Sequence, residues 1–167
     1  MKVNQWLPGL KDMKKPVIFS VVFFLIPFVS DAGDDPPNKP IVNVVTLLQS
    51  STSWDGGSFD YPEGKPQITV STITVPEGVS ISMHCHPVPL AGRVVKGTLE
   101  VTKANGESRI FEEGEALIEV SNTWHYGKGL SGDTELLVVY MGAEGMPVTV
   151  LKDGDPEYTK LCRTAAD

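Results

Sequence analysis

Turn-forming clusters cut the chain too often for long helices to form. Between residues 41 and 151 stand DGG, PEGKP, PEG, ANGE, EEG, GKGLSGD and GAEG. The runs they separate are short and either apolar or alternating: IVNVVTLLQ, QITVSTITV, SISMHCH, AGRVV, TLEVTK, SRIF, EALIEV, ELLVVYM and PVTVL. Alternation with a period of two is the pattern of a strand with one face in the core, and no window here carries a helical period over three turns. Asn105-Gly106, between TLEVTK and SRIF, supplies the positive φ angles that a two-residue hairpin turn requires. The chain is therefore predicted to be all-β, a sandwich or barrel in one domain.

The first forty residues read differently. Lys2, Lys11, Lys14 and Lys15 precede an uncharged apolar run, PVIFSVVFFLIPFVS, and then SDAG, with Ser30 and Ala32 placed for cleavage before Gly33. Residues 1–32 are expected to be a signal peptide. The run is shorter than the roughly 20 residues of a membrane span, so no stable span is expected after cleavage. GDDPPNKP, residues 33–40, reads as a linker, because its prolines cannot donate to a ladder. Residues 41–151 are then the barrel and 152–167 a tail. Without the signal, ten basic side chains face nineteen acidic ones, a net charge near −9. Such a surface repels nucleic acid. The expected destination is the periplasm or the exterior.

The chain has three histidines, and two of them stand in HCHPVPLAGRVVKG. On a strand, His84 and His86 share one face, with Cα atoms about 6.6 Å apart, close enough to converge on one ion. Cys85 points the other way and is expected to be a buried thiol rather than a ligand. Export also permits a bridge from Cys85 to Cys162, the other cysteine. His125, in EEGEALIEVSNTWHYG, is the remaining histidine.

These segments resemble the cupin superfamily. Gly78, His84, His86 and Gly97 match the first motif, G-x5-H-x-H-x3,4-E-x6-G, and Gly114 and His125 match the second, G-x5-P-x-G-x2-H-x3-N, in spacing. The resemblance spans roughly residues 45–150 and places all three histidines on the family's histidine-ligand positions. It implies a cupin jelly-roll barrel, or double-stranded β-helix, and a divalent transition metal held by His84, His86 and His125. Leu90 or Ala91 stands where the family has a glutamate ligand, and Val120, Asn122 and Gly129 stand where the second motif has proline, glycine and asparagine. A three-histidine site, similar to that of cysteine dioxygenase-like cupins, leaves about three positions open on a six-coordinate ion. Fe(II) is favoured, and Mn, Ni and Zn also suit imidazole ligands.

Glu119, on the strand leading to His125, is the candidate to replace the lost carboxylate as ligand, as catalytic acid or base, or as partner of an imidazole N–H. Alternation leaves its face open. Ser82, Trp124 and Tyr126 are candidate pocket residues. The function expected is oxygen-dependent, dioxygenase-like oxidation of a small organic substrate. The alternative is a non-catalytic cupin that binds a small molecule or metal in the cell envelope. Similarity to small cupins also implies a homodimer, with PVTVL as a candidate interface strand.

Overall fold

The computed structural model describes residues 41–163. The expected signal peptide and linker, residues 1–40, lie outside the described residues, as do the last four residues of the tail. Among the described residues no helix is long and apolar enough to cross a membrane.

Among the described residues seven strands carry the fold: β1 (Pro66–Val75), β2 (His84–Cys85), β3 (Leu90–Lys103), β4 (Ser108–Phe111), β5 (Ala116–Ile118), β6 (His125–Ala143) and β7 (Val150–Leu151). All their pairings are antiparallel. The protein is an all-β jelly roll. β3 and β6 form its spine, paired from Leu90↔Tyr140 to Lys103↔His125 with register shifts midway. β1 lies along the C-terminal half of β6, β4 and β5 flank β3, and the short β2 joins β6 to β7.

The spine strands bend at one level, and the bend decides which side chains face inward. Along β3 the buried apolar positions are Leu90 and Val94, then Leu99 and Val101, a change from even to odd. Along β6 they are His125, Gly127 and Gly129, then Thr134, Leu136, Val138 and Tyr140, a change from odd to even. Register irregularities between Val94 and Leu99 mark the same level. Such bulges reverse the face that a strand presents. Gly97 makes the bend sterically accessible. Its φ is +78°, and a Cβ there would come within 3.0 Å of the Ser131 carbonyl and of Thr134.

Val88, Leu90, Val94, Leu99, Val101, Phe111, Leu117, Leu136, Val138 and Tyr140 form the main core, with Trp54 packed against it. Trp54 belongs to a loop before β1 that the sequence did not mark as structural. Its backbone N–H donates to the Ile118 carbonyl at 3.0 Å. Beside it Lys103 donates to Asp55 at 2.6 Å, an ion pair with both side chains largely covered.

Several expected strands differ in extent. Residues 41–49 form no strand, and their apolar side chains are exposed. AGRVV and TLEVTK are one continuous strand, because the Lys96-Gly97 bend deflects the ladder without ending it. SISMHCH is reduced to His84 and Cys85: Ser80 makes only an isolated bridge to Lys128, and Pro87 and Pro89, which cannot donate to a ladder, lie just beyond the strand's end. The barrel's regular part begins at β1 rather than at residue 41.

The tail folds back on the barrel. A short helix, α1 (Pro156–Thr159), starts with Asp155 accepting from the Glu157 N–H at 2.8 Å. Cys162, just beyond it, is bonded to Cys85 with 6.1 Å between the Cα atoms. This corrects the expectation of a free buried thiol. Cys85 does face away from the histidine side, but the face it occupies is covered by the tail, with Trp124 and Val150 buried beside it.

Candidate metal centre

The histidines are brought together by strand pairing. His84 on β2 stands directly opposite His125 on β6, and paired residues in a ladder project to the same face. His86 follows two positions after His84, just past the strand. The three ring centroids are separated by 4.4 to 5.1 Å. One ligand atom from each lies within 4.8 Å of the others, and all three residues are buried.

Each ring is also oriented by the backbone. Nδ1 of His84 lies 2.7 Å from the Ser82 carbonyl, Nδ1 of His86 2.8 Å from the Val148 carbonyl, and Nδ1 of His125 2.8 Å from the Thr123 carbonyl. A carbonyl can only accept, so each Nδ1 carries the proton and donates. In a neutral ring so oriented, the lone pair is on Nε2. Burial lowers the His84 pKa to about 4, with the neighbouring His125 adding to the shift against the donation to Ser82. Burial, then His125 and His84, hold His86 well below the usual value. Two rings at least are neutral at physiological pH. Neutral imidazoles with shared tautomer and converging lone pairs fit a divalent transition ion.

The local chain explains this placement. Asn122 sits at φ 55°, the left-handed region, where the second motif has glycine. Asparagine tolerates that backbone. Its N–H donates to the His86 carbonyl at 2.8 Å, tying the turn before His125 to the strand end that carries His86.

Beside the histidines opens a cavity of about 240 Å³. Its walls include Ile73, Leu90, Leu99, Val101, Leu117, Leu136 and Val138, and its polar groups beyond the histidines include Glu119, Tyr140 and Thr149. Leu90, where the family motif has glutamate, is thus an apolar wall residue. Glu119 is buried and faces inward with Leu117, which settles the alternation left open by its sequence. It is not in the set of converging ligand atoms. Its Oε1 accepts from Trp54 Nε1 at 2.8 Å and from the Val120 N–H at 2.9 Å.

The expected pocket residues lie elsewhere. Trp124, just before β6, and Tyr126, on it, flank His125, and neither lines the cavity. Trp124 packs against Cys85 and Val150. Ser82 is exposed and contributes its carbonyl rather than its side chain, because the strand starts only at His84 and alternation does not reach back to it. Arg93 donates to the Gly114 carbonyl at 3.4 Å.

Tyr140 carries no mark in the sequence. Its ring centre is 5.5 Å from that of His86. Burial first, and then the nearby Glu119, raise its pKa against a hydrogen bond with Thr149, so it remains a phenol donor.

The family model Cupin_2, a cupin domain, matches residues 71–140. That span runs from within β1 to Tyr140 and includes all three histidines. Residues 71–140, less than half of the chain, are thus similar to a cupin domain. Among solved structures, the chain is similar to the DMSP lyase DddQ from Ruegeria pomeroyi DSS-3, with 19% identity and a TM-score of 0.46 over 53% of this chain and 45% of that one. It therefore spans less than half of that lyase's length. It is also similar to a conserved protein with a double-stranded β-helix domain from Klebsiella pneumoniae subsp. pneumoniae MGH 78578, with 17% identity and a TM-score of 0.44 over 55% of this chain and 88% of that one. A single-substitution mutant of salicylate 1,2-dioxygenase from Pseudoaminobacter salicylatoxidans is 15% identical, with a TM-score of 0.40 over 44% of this chain and 21% of that one. No curated protein matches the sequence.

Proposed function

We propose that this cupin is an exported metal-dependent enzyme that oxidises a small organic substrate with dioxygen. The observation that carries the reading is the gathering of three histidines, one ligand nitrogen of each within 4.8 Å of the others, on the wall of a cavity large enough for a substrate. His84, His86 and His125 are the ligands. Fe(II) is the favoured ion, because three neutral nitrogen donors leave about half of its coordination positions open to other molecules. When bound there, the ion supplies Lewis acidity and, as iron, access to dioxygen chemistry.

The chain's own residues then do three things. The apolar walls exclude water and hold the substrate body. Tyr140 donates a hydrogen bond to a polar group near His86. Glu119, with both of its hydrogen bonds on Oε1, presents Oε2 as acceptor for a substrate proton.

Metal analysis of the purified full chain, followed by oxygen uptake with a panel of thiols, phenols and diketones, tests this directly. About one transition ion per chain, lost in the double variant His84→Ala, His86→Ala together with oxygen uptake, is the expected result. Metal content unchanged by that variant would sink the metal assignment. Stoichiometric metal with no uptake across the panel would instead identify a non-catalytic binding protein, the reading favoured by Leu90 at the glutamate position.

Export is part of the proposal, and the Cys85–Cys162 bridge supports it, since such bonds persist in oxidising compartments. A mature N-terminus at Gly33 in the exported protein is expected. A homodimer is also proposed. Ile68 and Val70 on β1 are both about 60% exposed and neighbour Met141 and Val139 on β6, which gives one sheet an apolar outer face. Val70→Lys is expected to leave a monomer in sedimentation if that face is the interface.

A further inference from the structure

The cavity beside the histidines has a composition that restricts what it can take. Its lining is apolar from the rim inward: Val79 and Leu151 line it and are also about half exposed, so the entrance itself is hydrocarbon. Apart from the exposed Thr74 on β1, the polar side chains beyond the histidines are Glu119, Tyr140 and Thr149, and the last two lie beside His86. No lysine or arginine lines the cavity among the described residues. The largely covered basic side chain of Lys103 is committed to Asp55 and Glu107.

Size narrows the choice further. A dry apolar cavity of about 150 Å³ accommodates benzene, whereas drug-sized ligands occupy pockets of roughly 300 Å³ and more. At about 240 Å³ this one suits a body of about ten heavy atoms, a fused bicycle or a substituted ring. Charge acts in the same direction. One head group can be satisfied at the histidine end, by the ion and by Tyr140. A second ionised group on the body would be buried against Leu99, Val101, Leu136 and Val138 with no partner, and an unpaired buried charge is strongly disfavoured.

We propose that the cavity selects an uncharged, ring-sized apolar molecule bearing a single oxygen head group directed at the histidines, and rejects molecules with a second, anionic group. This deepens the metal-enzyme reading and rests on it for the head group, while the body specificity rests on the walls alone. The walls act by shape and by desolvation, so the same preference holds for a substrate or for an inert ligand.

The test is a binding measurement on the full chain loaded with redox-inert Zn(II) and on the metal-free chain, read by the fluorescence of 2-naphthol. Phenol and 6-hydroxynaphthalene-2-sulfonate serve as competitors. Both carry the same hydroxyl head, but phenol has a smaller body and the sulfonate a second charge. The expected result is that 2-naphthol binds at least tenfold more tightly than either competitor. Val138→Phe fills the cavity from β6 and is expected to weaken 2-naphthol at least tenfold while leaving the zinc content unchanged. Should that variant fold poorly, Ile73→Phe, at a half-buried wall position on β1, provides the same test.

Sulfonate binding as tight as 2-naphthol, or 2-naphthol binding unaffected by either folded variant, overturns the inference. The zinc content of the same samples reports separately on the metal assignment. Preferential 2-naphthol binding by a chain that takes up no zinc keeps the wall specificity and removes the metal reading.

Discussion

At the scale of single residues, the centre turns on where its carboxyl group stands. Leu90 occupies the family's glutamate position, and the rows on either side of it are polar. The Glu119 N–H donates to the Leu90 carbonyl, and Leu90 pairs with Tyr140, so acid, leucine and phenol lie side by side across three strands. The carboxyl is displaced by a strand and anchored by Trp54. That position suits proton transfer better than ligation. Glu119→Gln is therefore expected to retain the full metal content while the oxidation rate falls by about 100-fold or more, the usual range for a lost acid or base. Loss of metal in this variant would instead make Glu119 a ligand. Trp54→Phe keeps the ring packing and removes one donor from a buried carboxyl, which should lower stability by about 1–3 kcal/mol in urea unfolding. The histidines and Leu90 were legible in the sequence because their meaning depends on spacing along one or two strands. Trp54 was not, because its partner lies 65 residues away and nothing local marks the pair.

At the scale of elements, alternation was a dependable guide only within a continuous strand. It placed His84, His86 and Cys85 on their proper faces, and it assigned Leu117 and Glu119 to one side without saying which. It failed across the bend in the spine. Counting from His125 in steps of two puts Tyr140 outside, yet the face reverses between Gly129 and Thr134 and Tyr140 ends in the cavity. The glycine that permits the bend, Gly97, was visible as a motif residue, but its consequence for a strand far along the chain was not. The tail shows a similar limit. Residues 152–163 carry no motif, yet the Cys162 bond holds them over the reverse face of the strand that bears His84. Its loop separates residues 77 apart, and closing a loop of that length restricts the unfolded chain by about 4 kcal/mol. Cys162→Ser is expected to lower unfolding stability by about 2–4 kcal/mol, and because β2 has only two residues, metal affinity should fall with it. A variant that loses stability but binds metal unchanged would show that the ladder with His125 alone fixes the histidines.

For the whole molecule, the centre and the frame respond to acid in different ranges. His84 has a pKa near 6.5 in the unfolded chain and about 4 when folded without metal. Between those values the unfolded chain binds a proton that the folded chain refuses, so stability is complete above about pH 6.5 and declines as the pH falls towards 4. For this residue alone the loss approaches about 3 kcal/mol. His86 is depressed further and extends the decline in the same direction. Asp55 belongs to the frame. Burial raises its pKa, but hydrogen bonds from Lys103, Ser53 and Gly57 outweigh burial and hold it below 3.8, so its contribution is lost only in stronger acid. Lys103 marks the other limit: burial lowers its pKa, yet Asp55 and Glu107 raise it above 10.5, and its contribution is complete below about pH 10.5 and is lost as the pH rises from there through the raised value. The metal-free protein should therefore show a plateau of stability from about pH 7 to 10, with an acid limb beginning near pH 6.5. Bound metal adds stability on the plateau by mass action and makes the acid limb steeper, because protons and metal compete for the same Nε2 lone pairs. Urea unfolding across this pH range, with and without chelator, measures both effects. His84→Asn should flatten the limb between pH 6.5 and about 4 and leave the Asp55 region intact. An acid limb that is the same in wild type and His84→Asn would mean that His84 does not set it.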